Sequence, residues 1–115
     1  MEDELITLLT SLKYPVYRQG SLSENEPYPA TFFTFWNTAE DGVSFYDNED
    51  FLISHNFEVN VYSNDPSTTY TLLDTARALL KTNGWTITQR GYDVESDEMT
   101  HTGRGMTCLY LQQIQ

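Results

Sequence analysis

The sequence predicts a single α+β domain, in which an antiparallel, twisted β-sheet carries two α-helices on one face. Three observations support this prediction. The 115 residues are enough for one hydrophobic core but not for two. Two segments have helical spacing of apolar residues, and five segments are rich in β-branched and aromatic residues. The order of these segments is α, β, β, β, α, β, β, without an internal repeat, which is typical of a layered α+β domain.

The first helix is predicted over residues 2–13. Three acids stand in its first turn, where the helix dipole favours negative charge, and Pro15 follows its end. Its apolar face has the spacing i, i+3, i+4, i+7 and consists of Leu5, Leu8, Leu9 and Leu12.

The second helix is predicted over residues 66–83, and both of its ends are marked. Asp65 suits the N-cap, Pro66 the first helical position and Gly84 the residue beyond the end. The stripe expected to pack on the sheet contains Tyr70, Leu72, Leu73, Ala76, Arg77, Leu79 and Leu80.

The strands are predicted near residues 15–19, 30–37, 51–62, 85–94 and 106–114. The third alternates most clearly, and its apolar side includes His55, which we interpret as a core residue hydrogen-bonded at one ring nitrogen. The second strand has Phe33 and Phe35 on one side and Phe32 and Trp36 on the other. We therefore expect it to be covered on both faces, by a helix and by either a second sheet or a neighbouring subunit.

A long acidic connection is predicted over residues 38–50. It contains Val43, Phe45 and Tyr46, which a purely solvated loop does not need. Since connections of this length in small domains are usually functional, we expect it to contact a partner.

The formal net charge of −11 is the most distinctive bulk property. Such a surface repels phosphate, which disfavours ordinary nucleic-acid binding. An acidic surface can instead serve solubility alone, line a passage through which DNA slides, or imitate DNA. No apolar run is long enough to span a membrane, and the N-terminal MEDELI lacks the basic region of a secretory signal, so we expect an intracellular protein. The single cysteine, Cys108, lies in an apolar alternation and is interpreted as a buried structural thiol.

The stretch Glu95–Leu111, ESDEMTHTGRGMTCLYL, is the richest in reactive side chains. A metal site formed by His55, His101 and either Asp97 or Glu98 is conceivable, but it requires both histidines at matched height on adjacent strands. Gly103-Arg104-Gly105 could cradle an anion, although a tight turn or bulge explains its glycines equally well. We favour the simpler interpretation, in which the stretch connects the last two strands.

Recognisable enzyme motifs are otherwise missing. The sequence has neither a glycine-rich phosphate loop nor a G-x-S-x-G elbow. Asp47, Glu49 and Asp50 do not have the spacing of a calcium loop and are interpreted as a solvated acidic segment. We therefore expect no catalytic residues, no metal and no cofactor.

The aromatic content points instead to an interaction protein. Two Trp, eight Tyr and six Phe are many for a core of this size, and surplus aromatic residues tend to lie at interfaces. An exposed sheet edge could also be closed by a neighbouring subunit. Both features fit a symmetric oligomer of a small subunit.

Most of the chain resembles one family, the tail completion or tail terminator proteins of long-tailed bacteriophages and prophages, also called head–tail joining proteins. The likeness lies in the order and amino-acid sequence of four segments, which mark sheet and helix boundaries. They are the N-terminal helix with Pro15-Val16-Tyr17; Glu26-Pro27-Tyr28-Pro29 leading into Phe32-Phe33-Thr34-Phe35-Trp36; Phe57-Glu58-Val59-Asn60-Val61-Tyr62-Ser63 with Asn64-Asp65-Pro66 and Asn83-Gly84-Trp85; and Asp97-Glu98-Met99-Thr100-His101 with Leu109-Tyr110-Leu111.

The resemblance implies a structural role. Members of this family are small α/β subunits that form a ring, commonly six-fold. The ring caps the finished tail tube and presents a surface to the head connector. The expected partners are other copies of the chain, the major tail tube protein and the connector proteins. DNA crosses the lumen without specific binding, no membrane is involved, and the location is the virion tail or neck after assembly in the host cytoplasm.

Two other hypotheses remain at this point. One is an acidic DNA mimic that blocks a host DNA-binding protein, and the other is an enzyme that uses Asp97, Glu98 and His101. Under the leading hypothesis the protein is not an enzyme. The residues that we then expect at subunit interfaces are Trp36, Val43, Phe45, Tyr46 and His101.

Overall fold

The computed structural model describes residues 2–18, 29–44, 51–95 and 101–114, with side chains left undescribed at 41–44, 51, 113 and 114. They form one α+β domain with a five-stranded sheet and two helices. The elements are α1 (Glu2–Thr10), β1 (Val16–Arg18), β2 (Thr31–Ser44), β3 (Phe51–Ser63), α2 (Pro66–Thr82), β4 (Thr86–Val94) and β5 (Thr102–Ile114). The strands lie in the order β1-β2-β3-β5-β4.

The sheet is mixed, so the prediction of an antiparallel sheet is wrong at one edge. β1 runs parallel to β2, with Val16 opposite Phe33 and Arg18 opposite Phe35, whereas the other three strand pairs are antiparallel. A parallel neighbour requires a connection of about a dozen residues, because the chain must return to the same end of the sheet. Residues 19–30, which join β1 to β2, have that length.

The predicted connection over 38–50 is also wrong in its first half. β2 continues to Ser44 and pairs with β3 up to Phe51, so residues 38–44 belong to a strand. A β-bulge between Asn37 and Ala39 shifts the alternation by one residue without ending the pairing. The sequence pattern is broken at that point, which is why the extension does not look like a strand. Phe45 and Tyr46 lie outside the described residues, as do Asp47, Glu49 and Asp50.

The hydrophobic core lies between the two helices and one face of the sheet. α2 contacts β3, β4 and β5, and α1 contacts α2 and β1. The buried cluster comprises Leu5, Leu9, Phe33, Phe35, Phe57, Val59, Val61, Leu72, Leu73, Ala76, Leu80, Trp85, Met106 and Cys108. Cys108 is 1% exposed, which confirms its prediction as a buried thiol, and burial raises its pKa to about 12.

α2 begins and ends close to the predicted residues. The carboxylate of Asp65 accepts a hydrogen bond of 3.0 Å from the backbone N–H of Ser67, and Gly84 has φ of +90° just beyond the helix. Tyr70, however, is 52% exposed and lies outside the core, with the guanidinium of Arg104 4.6 Å from its ring centroid. The buried part of the helical stripe is therefore narrower than predicted, and it consists of Leu72, Leu73, Ala76 and Leu80.

α1 is shorter than predicted and ends at Thr10 rather than near residue 13. The chain continues through tight turns, in which the backbone N–H of Lys13 donates to the carbonyl of Thr10 at 2.9 Å. Lys13 itself has φ of +71°, a left-handed conformation that ends these turns two residues before Pro15.

Candidate functional site

The face of the sheet opposite the helices is the candidate site, and we call it the outer face. Its members in β2, β3 and β5 alternate with the core residues, with the bulge at Asn37 taken into account. Those with described side chains are Phe32, Thr34, Trp36, Ala39, Leu52, Ser54, Asn56, Glu58, Asn60, Tyr62, Gly103, Gly105, Thr107, Leu109 and Leu111.

One end of the outer face is covered by the chain's own aromatic rings. Phe32 is 1% exposed because it stacks on Tyr62, with centroids 5.3 Å apart, and meets the ring of Tyr17 edge-on at 5.9 Å. Trp36 lies four residues further along β2 on the same face and is 45% exposed. We expected the outer side of β2 to be covered by other groups. At Phe32 the chain's own rings cover it, whereas no described residue covers Trp36.

Glu58 lies at the centre of the outer face and holds two aromatic side chains. Its Oε1 accepts a hydrogen bond of 2.7 Å from the phenol of Tyr92, and its Oε2 accepts one from the indole N–H of Trp36. Burial, and then the hydrogen bond to Glu58, raise the pKa of Tyr92 above its ordinary range, because the charged phenolate is disfavoured there. The carboxylate therefore connects β2, β3 and β4 by hydrogen bonds.

Tyr92 reaches Glu58 over β5 because β5 has no side chain at that point. A Cβ on Gly105 would lie 2.2 Å from Oδ1 of Asn60 and 3.0 Å from the ring of Tyr92. A Cβ on Gly103 would lie 2.8 Å from the ring of Tyr62. Gly103-Arg104-Gly105 is thus part of β5, opposite Tyr62, Val61 and Asn60, and is neither a turn nor an anion cradle.

A cavity of about 330 Å³ opens on the outer face. Trp36, Glu58, Asn60, Tyr62 and Val94 line it. Asn60 is 3% exposed, and its Oδ1, which lies against Gly105, has no hydrogen-bond partner among the described residues. The lining combines aromatic surface with one carboxylate and one amide.

The sequence-predicted site residues are spread over several places. Trp36 lies on the outer face, and Val43 lies in β2 opposite Leu52. His101 precedes β5, where its Nε2 is 2.8 Å from the carbonyl oxygen of Pro29 and its ring centroid is 6.1 Å from that of Phe32. Its observed contacts tie the start of β5 to the segment before β2.

The two histidines are too far apart to share a metal ion. His55 pairs with Tyr110, whereas His101 stands just before Thr102, which pairs with Ser63. Eight residues of strand separate these levels, or about 26 Å. Asp97 and Glu98 lie outside the described residues. Within the described part of the chain, no three His, Cys, Asp or Glu side chains are grouped so as to hold a metal ion.

His55 differs from its prediction, because both of its ring nitrogens face oxygen atoms. Nε2 is 2.8 Å from Oε1 of Gln112, and Nδ1 is 3.3 Å from Oε1 of Glu40. The residue is 8% exposed and links β2, β3 and β5 on the helix-side face, close to the free end of the sheet. A cross-strand link of this kind accounts for a histidine on an apolar strand face without a ligand.

Sequence reasoning missed Glu58, Asn60, Tyr92 and Gly105 as members of one site. The available signal was a carboxylate in the middle of a strand, at Glu58. Buried or half-buried carboxylates require hydrogen-bond donors. The donors come from strands far apart in sequence, so the pattern of β3 alone does not identify them.

A search with models of known protein families found no match to this chain, and a search of curated proteins found none either. Neither helix among the described residues is long and apolar enough to cross a membrane.

Proposed function

We propose that this chain is a structural subunit of a bacteriophage tail or neck, and not an enzyme. In this role, copies of the chain form a ring that caps the tail tube and joins it to the head connector, while DNA passes through the lumen. The resemblance of its segments to tail completion proteins suggests the class. The observation that carries the proposal is the outer face, which has an exposed tryptophan and hydrogen-bonded polar groups in place of a reactive centre.

The arrangement of layers supports a subunit that is completed by neighbours. The helices pack on one face of the sheet, as the core cluster indicates, and among the described residues no helix packs on the opposite face. β2 extends from Thr31 to Ser44, but β1 pairs only with Phe33 to Phe35. Within the described residues no strand pairs with the rest of that edge, whose backbone groups could pair with another strand. Sheet faces and edges of this kind are typical of subunit contacts.

The net charge of −11 agrees with a passage for DNA, because an acidic lumen would not retain a phosphate backbone. The alternative of a DNA mimic needs acids in rows at phosphate spacing on one face. The outer face carries one described carboxylate, Glu58, and the acids of α1 and α2 stand in separate groups at Glu2–Glu4 and Asp74. The geometry therefore favours the ring over the mimic.

The proposal is tested by adding the purified protein to a polymerising tail tube protein of the phage or prophage that encodes it. We expect tubes that stop growing and carry a ring of extra density at one end in negative-stain electron micrographs. A control protein of equal acidity should leave tube length unchanged. Tubes that grow to the same length, without terminal density, at a molar excess of this protein would contradict the proposal.

A further inference from the structure

We propose that the outer face is the surface that binds a second copy of this chain. The inference rests on the proposed function, since it assigns the surface through which the ring subunits meet. Three observations carry it: the single charged side chain among the described positions of this face, the exposed apolar side chains on it, and its area.

The distribution of charge separates the outer face from the rest of the molecule. Two copies with a net charge of −11 each repel one another, so a stable contact between them must avoid the acids. Of the fifteen outer-face positions of β2, β3 and β5 whose side chains are described, Glu58 alone is charged. Asp41 of β2, opposite Ser54, is a further outer-face position by register. Both of its oxygens already accept hydrogen bonds, from Tyr92 and Trp36. A second copy can therefore approach this face with little repulsion.

A basic partner would choose a different surface. The first turn of α1 carries three adjacent acids, Glu2–Glu4, on the helix side of the molecule. A cationic protein would be attracted there rather than to a face with one hydrogen-bonded carboxylate. This contrast is why we assign the outer face to a copy of the acidic chain itself.

The outer face also exposes apolar groups that water does not favour. Trp36 is 45% exposed and Leu111 is 47% exposed, and they are two of the four large hydrophobic residues found exposed among the described residues. Ala39, Leu52 and Leu109 lie between or beside them and are partly exposed. An exposed tryptophan is a typical anchor of a protein interface.

Trp36 is already held in place before any contact forms. Its indole N–H donates to Glu58, which is in turn fixed by Tyr92. A fixed ring loses little side-chain entropy when a partner packs on it, so the contact becomes tighter. The adjacent cavity of about 330 Å³ offers room for one side chain of the neighbouring copy.

The area of the face suits a specific contact. A 13-residue strand is roughly 43 Å long and the three strands of the outer face are roughly 14 Å wide, which gives on the order of 600 Å². A standard protein interface buries about 800 Å² on each partner. The outer face can therefore supply much of one side of such an interface.

The first test measures protection of a single engineered thiol. Cys108 is buried, so a cysteine placed at an exposed position becomes the reactive one. Leu111→Cys on the outer face and Tyr70→Cys on α2 start from similar exposures of 47% and 52%. We expect the maleimide reaction of Leu111→Cys to slow about tenfold or more from dilute to concentrated protein, while that of Tyr70→Cys stays constant. Equal rates for Leu111→Cys at all concentrations, or protection at Tyr70→Cys instead, would overturn the inference.

The second test uses added charge. Trp36→Lys and Leu111→Lys should each reduce the mass of the concentrated protein to that of one chain, whereas Tyr70→Lys should leave it unchanged. Circular dichroism spectra that match the parent protein would show that the variants fold. Association that survives both outer-face variants, or a parent protein that is monomeric throughout, would overturn the inference.

The two proposals can fail separately. An outer face that binds the same face of a second copy closes a dimer, which supports the assigned surface but contradicts the ring. Association that is lost only in Tyr70→Lys, together with tubes that are still capped, would support the ring and overturn the assigned surface. Loss of both association and capping in Leu111→Lys would support both.

Discussion

The phenol of Tyr92 on β4 donates a hydrogen bond of 2.7 Å to Glu58 on β3, passing over the intervening strand β5. The contact is possible because Gly105 leaves the outer face of β5 open at that level. Glu58 also accepts the indole N–H of Trp36 on β2. One carboxylate thus fixes side chains from both sides of the central strands and sets the position of the exposed tryptophan that we assign to the subunit contact.

Replacing Gly105 should damage this arrangement. In Gly105→Ala the new methyl group would lie 2.2 Å from Oδ1 of Asn60 and 2.9 Å from Cγ2 of Val94, so these side chains or the strands that carry them must shift. We expect the free energy of unfolding to fall by about 1–3 kcal/mol in urea denaturation. Gly91→Ala is the matched control, because its methyl group meets the movable end of Arg104 at 3.0 Å. An equal loss in both variants would contradict the close packing described for Gly105.

Removing the phenol of Tyr92 should change the response to alkali. The folded-state pKa of Tyr92 is raised above its unfolded value of 10.0, so the folded form keeps its proton while the unfolded form loses it. The stability contributed by this difference is fully present below pH 10 and is lost as pH rises above it. We expect Tyr92→Phe to lose stability less steeply than the parent protein between pH 10 and 11.5 in urea titrations. Parallel curves over that range would contradict the account of Tyr92.

The stability that Cys108 contributes should also fall with rising pH, and the fall should begin at a lower pH than for Tyr92. Burial raises its pKa from 9.0 to about 12, so stability is full below pH 9 and declines as pH rises towards 12, by at most about 1.4 kcal/mol per pH unit. The thiol should also react with a disulfide reagent at a rate set by opening of the fold, and urea should accelerate the reaction. A fast, urea-independent reaction at pH 8 would contradict the burial of Cys108.

The cap of α2 should contribute a measurable part of the stability. Asp65→Ala removes the acceptor for the backbone N–H of Ser67, and we expect a loss of about 1 kcal/mol in the free energy of unfolding. Asp65→Asn keeps a side-chain oxygen at the same place and should cost much less. If the two variants were equally unstable, the loss would have to come from the charge of Asp65 and not from its hydrogen bond.

The sequence predicted the α+β class, the order of the seven elements and the cap of α2, because these depend on local spacing and on the residues at element ends. It did not predict that β1 is parallel to β2, since strand direction depends on where residues 19–30 lead the chain. The bulge at Asn37 hid the second half of β2 by breaking the alternation of apolar residues.

The candidate site was predicted only in part. Trp36 was expected at an interface because its position on β2 left it without a partner in the core. Glu58, Asn60, Tyr92 and Gly105 escaped notice because their relationship exists only when β4, β5 and β3 lie side by side. His55 was placed correctly in the interior. Its partner Glu40 lies in the part of β2 that the sequence did not predict, and Gln112 lies on β5, which is next to β3 only in the folded sheet.

The central claim is that this chain assembles with copies of itself into a closed ring, and its mass in solution tests that claim most directly. Light scattering coupled to size exclusion should be recorded from micromolar to near-millimolar concentration at physiological ionic strength. The account predicts a mass that rises from one chain to a single plateau of more than two chains. A mass of one chain of 13.3 kDa at every concentration, or a plateau at two chains, would contradict it.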